Sequence, residues 1–140
     1  MTAPAGAAAV GGSDPVAVVE RYFAALGPTR EAFWSSFDTF FDDATVWENV
    51  GLGRTVGRAE AVAFARQFPV DFDYMTVDVL HIAAAGDTVL TERIDYLHDG
   101  QGAVVGTVRV AGTFLIDGDV IREWRDYYDT AAFATALSAA

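Results

Sequence analysis

Cysteine and lysine are both absent from this chain of 140 residues. Without cysteine there is no disulfide framework, no thiolate nucleophile and no sulfur-ligated metal. Without lysine there is no Schiff base and no amine nucleophile. All nine basic residues are arginine, set against twenty acids, for a formal net charge of −11. A balance that acidic argues against nucleic acid and against anionic membrane surfaces as partners. The two histidines, His81 and His98, do not sit at metal-ligand spacing with other donors, which argues against a histidine-based zinc site. His98 precedes Asp99-Gly100 at a strand end and is expected in solvent; His81 reads as a packed or edge residue. Gly51 to Gly57 is glycine-rich but lacks the lysine and the βαβ context of a phosphate loop. No run is long and apolar enough to suggest a membrane span. Residues 1–13 are Ala/Gly-rich and contain no arginine, and Pro4, Gly6, Gly11 and Gly12 break their apolar stretch, unlike a secretory signal. They read as a flexible tail before one domain over 14–140, and the expected location is cytoplasmic. No metal or cofactor motif is visible.

What is present is apolar surface in excess: 52% hydrophobic residues and 13% aromatic. That suits a pocket lined by rings and aliphatic chains, or a hydrophobic oligomer interface, and a homodimer through the outer face of a sheet is expected. Asp14-Pro15 is a helix start, followed by Val16, Val19, Tyr22, Phe23 and Leu26 at helical spacing up to Gly27-Pro28. A second helix begins after Thr29 and carries Phe33, Trp34, Phe37, Phe40 and Phe41, an aromatic stripe read as core. Residues 44–50 form a short strand, 51–55 a loop, and 57–67 a third helix stopped by Pro69. From Tyr74 onward the pattern predicts four strands, at 75–84, 88–98, 103–116 and 120–129, with a short closing helix over 130–137. Helices first and a meander of long strands afterwards is an α+β pattern. A strongly curved, mainly antiparallel sheet wrapped around the helices would make a cone-shaped barrel with an apolar interior.

Two of the strands put charge where core belongs. Residues two apart on a strand share a face, so Arg93 and Asp95 align with Val89, Thr91 and Leu97, and Asp126 aligns with Trp124 and Tyr128. Ionisable groups are rarely buried unless paired. A structural ion pair would account for them; so would an acid/base device made of two carboxylates with an arginine between them. Both acids lie mid-strand, Trp124 shares the face of Asp126, and no competing catalytic set exists in the sequence. These details favour chemistry.

The combination of Arg93-x-Asp95 on one strand, Trp124-Arg125-Asp126-Tyr127 on the last, and Trp47-Glu48-Asn49 at the end of a short strand resembles the limonene-1,2-epoxide hydrolase family. That family belongs to the cone-shaped superfamily shared with nuclear transport factor two, ketosteroid isomerase and the SnoaL-type polyketide cyclases. The resemblance runs from about Pro15 to Ala136. It implies that Asp95 is the general acid protonating the epoxide oxygen and that Asp126 is the general base activating water. It further implies that Arg93 bridges the two carboxylates and Asn49 helps hold the water, with Trp47 and Trp124 lining the substrate and water site. The family usually carries tyrosine where this chain has Trp47, and an indole nitrogen donates a hydrogen bond but accepts none. The expected substrate is a small hydrophobic epoxide, with water as co-substrate and no cofactor. An epoxide-opening cyclase, a proton-shuttling isomerase and a non-catalytic small-molecule-binding domain remain alternatives on the same scaffold.

Overall fold

The computed structural model describes residues 14–132. Helix α1 spans Pro15–Ala25 and α2 spans Arg30–Phe40; β1 (Val46–Asn49) and β2 (Gly53–Val56) form a short hairpin before α3 (Arg58–Arg66). Four long strands complete the chain: β3 (Tyr74–Ala85), β4 (Thr88–His98), β5 (Val104–Asp117) and β6 (Val120–Tyr127). They form one curved, open sheet in the order β2-β1-β6-β5-β4-β3. Every pairing is antiparallel except β1 with β6, which is parallel.

Local chemistry sets the helix starts. The Asp14 carboxylate accepts from Val16 N at 3.0 Å, and Thr29 Oγ1 accepts from Ala32 N at 3.0 Å, each satisfying an end-of-helix donor. The apolar faces of α1 and α2 then lie on the concave side of the sheet. Val18, Val19, Tyr22, Phe33, Phe37 and Phe40 are buried there with Val89, Phe114, Ile121 and Trp124. Rings dominate this core: Trp124 is stacked between Trp47, 5.1 Å away, and Phe114, 5.3 Å away, with Tyr22 edge-on at 5.3 Å.

Three expectations need correction. The 51–55 segment is not all loop: Gly53–Val56 pairs with β1 after a turn at Gly51, where φ is 92°. Thr55 turns inward and donates to the Trp47 carbonyl, a short anchor that sequence alternation over four residues does not reveal. Helix α3 starts at Arg58, with Gly57 outside it at φ 91°. His98 is half-buried instead of lying in solvent, its ring stacked 4.6 Å from Tyr74 and its nitrogens within 2.7 Å of Thr76 Oγ1 and 3.0 Å of the Gly102 carbonyl. His81 is an edge residue, since β3 ends the sheet, and it pairs with Glu92 at 2.8 Å. The closing helix begins at Thr130 with Asp129 capping Ala132 N; its remainder and the 1–13 tail lie outside the described residues. No helix among the described residues is long and apolar enough to cross a membrane.

Candidate active site

The strand register explains how the charged residues meet. On β4 the inward row is Val89, Thr91, Arg93, Asp95 and Leu97, all buried. On β6 Asp126 and Trp124 point inward, and the parallel pairing with β1 sets Asn49 beside Asp126 and Trp47 beside Trp124. Strand β5 separates β4 from β6, so the two aspartates lie about 10 Å apart at the backbone, two strand spacings. A guanidinium on a three-carbon stem can cross that gap only if nothing stands on β5 between them. Gly112 is the residue there, paired with Thr91 on one side and Asp126 on the other. A β-carbon at Gly112 would fall 2.5 Å from Arg93 Nη1 and closer still to Asp126 Oδ1. A mid-strand glycine is the signature of such a close approach.

Arg93 is 1% exposed and binds both acids. Nε donates to Asp95 Oδ1 at 2.9 Å, and Nη2 donates to Asp95 Oδ2 at 3.2 Å and to Asp126 Oδ2 at 2.6 Å. Nη1 donates to Thr91 Oγ1 at 3.0 Å, and that hydroxyl in turn donates to the Gly112 carbonyl at 3.0 Å. The guanidinium carbon lies 5.2 Å from the Phe23 ring and 5.8 Å from that of Phe114, a dry, ring-lined seat for a cation. Asp126 Oδ1 accepts from Trp124 Nε1 at 2.7 Å. Asn49 Oδ1 accepts from the Tyr128 hydroxyl at 3.0 Å. The buried Nδ2 of Asn49 and Nε1 of Trp47 have no hydrogen-bond partner among the described residues.

Electrostatics separate the groups. Burial raises Asp95, and the Asp126 charge adds to it; Arg93 opposes both, and the outcome is a carboxyl pushed up to about 6. Burial disfavours the Arg93 cation, but the two carboxylates outweigh it and hold the group firmly protonated. Burial, then the charge of Asp126, raises the phenols of Tyr22 and Tyr128 well above their ordinary value.

Asp95, Asp126, Asn49, Trp47, Trp124, Tyr22 and Tyr128 all line one cavity of about 60 Å³, traced by the centre of a water-sized sphere. That is room for a few waters at about 10–15 Å³ each. Phe33, Phe37, Phe72, Met75, Leu97 and Val108 make the rest of its wall predominantly apolar. All six residues singled out from the sequence are thus together, five of them and Asn49's neighbour Tyr128 on the cavity wall and Arg93 behind the acids. Sequence reasoning missed Gly112, Thr91 and Tyr128 as parts of the site, although the first is a glycine inside a β-branched run and the others lie on faces already marked by charge.

Comparison with known proteins places this arrangement. Residues 13–138 match the family model described as the limonene-1,2-epoxide hydrolase catalytic domain. The chain belongs to the limonene-1,2-epoxide hydrolase family. It is an epoxide hydrolase of that family, and it is 33% identical over 117 residues to epoxide hydrolase EphG of Mycobacterium tuberculosis, covering 79% of this chain and 70% of that one. The solved structure of an M. tuberculosis epoxide hydrolase of the limonene-1,2-epoxide hydrolase type superposes with a TM-score of 0.67 at 31% identity, covering 89% of this chain and 84% of the other. A SnoaL-like protein from Jannaschia sp. CCS1 superposes with a TM-score of 0.70 at 19% identity, covering 90% and 92%, and shows the shared cone fold.

Proposed function

We propose that this epoxide hydrolase converts a hydrophobic epoxide to a vicinal diol by concerted acid/base catalysis with direct attack of water. The observation that carries the reading is the buried Asp95–Arg93–Asp126 set in the wall of an apolar cavity. Ring opening needs a proton at the epoxide oxygen and a nucleophile at carbon at nearly the same moment. Asp95, whose carboxyl is raised to about 6, supplies the proton as the C–O bond breaks. Asp126 takes a proton from water as the new C–O bond forms. Each oxygen of its carboxylate has two lone-pair sites, so bonds from Trp124 and Arg93 leave it able to accept that proton. Asn49 offers Nδ2–H to the water oxygen. Arg93 holds the two carboxylates in one register. Turnover leaves the proton on Asp126, and its return to Asp95 resets the site. The pocket lining selects apolar epoxides.

The test is a screen of hydrophobic epoxides for diol formation with Asp126→Asn beside the wild type. General acid/base contributions of about 10²–10⁴-fold each lead us to expect at least a hundredfold loss of diol formation. An Asp126→Asn enzyme with near-normal turnover would return the set to a structural ion pair, and a cyclised product in place of the diol would make the nucleophile a substrate hydroxyl.

A further inference from the structure

We infer that Tyr128 is a positioning residue of the hydrolysis: its hydroxyl fixes the Asn49 amide so that Nδ2–H meets the attacking water, and its phenol oxygen accepts a hydrogen bond from the water's second hydrogen. The inference rests on the Asp95/Asp126 reading and extends it.

A primary amide is nearly symmetric in shape and opposite in chemistry at its two ends. Something must decide which end of Asn49 faces a guest. The Tyr128 O–H donates to Oδ1 at 3.0 Å, which commits the oxygen and leaves the amide nitrogen as the end without a partner among the described residues. Asn49 is 3% exposed, and Asn49, Tyr128 and Asp126 line the same cavity. Strand register supports the grouping: Asn49 pairs directly with Asp126, and Tyr128 follows Asp126 by two residues.

A water poised for attack makes four directed interactions. One hydrogen goes to Asp126, and one lone pair must stay free for the carbon. Asn49 Nδ2–H can hold the other lone pair. The second hydrogen then needs an acceptor. Trp47, two residues before Asn49 on β1, offers only an N–H, itself without a partner among the described residues. A phenol oxygen that donates its own hydrogen still has lone pairs to accept one. Burial and the nearby carboxylates keep the Tyr128 phenol protonated, so it remains a donor to Asn49 throughout the working pH range. With both hydrogens and one lone pair held, the remaining lone pair has a fixed direction.

Tyr128→Phe removes the hydroxyl and keeps the ring. A misdirected nucleophile costs up to about a hundredfold, so kcat should fall by about 10- to 100-fold. KM should stay near wild type and the pH dependence of kcat/KM should keep its shape, while the thermal midpoint should fall by several degrees because the buried Asn49 Oδ1 loses its donor. Asn49→Ala should cost much less in the Tyr128→Phe background than in the wild type, because the two residues act on one water. A Tyr128→Phe enzyme within twofold of wild-type kcat, a loss confined to KM, or losses that multiply with Asn49→Ala would each overturn the assignment. Asp126→Asn in the same assay separates the two levels. If it is inactive while Tyr128→Phe is normal, only the Tyr128 inference fails; if it is active, the acid/base reading fails and takes Tyr128 with it.

Discussion

Replacing Gly112 by alanine adds one methyl group, and it should disable the site without touching an ionisable residue. In a strand interior, alanine is ordinarily better than glycine by about 0.5–1 kcal/mol. At 112 the geometry reverses that sign. The new carbon would sit 2.5 Å from Arg93 Nη1, whereas ordinary contact begins at 3.4 Å, so the guanidinium must retreat by about 0.9 Å. Asp126 Oδ1 must retreat further, and the Arg125 carbonyl at 3.2 Å closes the way out along the backbone. A misplacement on the order of 1 Å in catalytic geometry costs about a hundredfold, which sets the expected drop in kcat/KM. Overpacking a close-packed interior costs about 1–3 kcal/mol, at about 2–4 °C per kcal/mol for a domain of this size or somewhat larger. The thermal midpoint should therefore fall by several degrees, and the variant should remain folded. Steady-state kinetics on a hydrophobic epoxide, with calorimetry on the same preparations, measure both. Gly106→Ala on the same strand is the control, because the three atoms nearest its β-carbon all belong to the flexible Leu97 side chain, the closest at 3.0 Å. A Gly112→Ala enzyme as active as Gly106→Ala would refute the claim that Arg93 bridges the acids over a bare backbone.

The pH profile follows from Asp95. In its proposed role as general acid, with its carboxyl raised to about 6, it loses its proton as pH rises through that value, and kcat/KM should fall on that limb. The stability sign is the same: a carboxyl whose folded value lies above its unfolded value of about 4 stabilises fully below pH 4, and this contribution disappears as pH rises through 6. Asp95→Asn should abolish both effects; an unchanged alkaline limb in that variant would assign the acid elsewhere. Direct water attack also predicts where solvent oxygen goes. In a single turnover with excess enzyme in water enriched in the heavy oxygen isotope, label should enter the diol and neither aspartate; label in the protein would mean a covalent ester.

Much of the site was legible in the sequence because strand alternation is a hard constraint. Arg93, Asp95 and Asp126 could avoid the core only if their strands were misread, and the hydrophobic partners Val89, Leu97 and Trp124 fixed the faces. What the pattern could not supply was order across the sheet. Nothing local says that β5 lies between β4 and β6, so the need for a glycine at 112 was invisible until the register was known. The same gap hid Tyr128. Its face was readable, but its partner Asn49 is 79 residues away, on a strand joined to β6 in parallel. The short β2 strand escaped for a different reason: four residues with one inward threonine carry too little alternation to stand out from a loop.

Counting charge supports one shared proton in the proposed acid/base pair. With both aspartates ionised, Arg93, Asp95 and Asp126 carry a net −1 in a site that is almost wholly desolvated. One proton makes the cluster neutral, and an apolar cavity favours the neutral form. The raised Asp95 value expresses that preference. Asp95 is the carboxyl that burial raises most clearly, with the Asp126 charge adding to the effect and Arg93 opposing it. A buried ion set of this kind contributes little net stability, since desolvation offsets attraction. In the proposed step, Asp95 gives up a proton while Asp126 gains one, so the cluster begins and ends neutral. On that proposal the low-dielectric pocket never has to hold a separated charge, and the apolar lining proposed to select the substrate would also keep one proton shared between two acids.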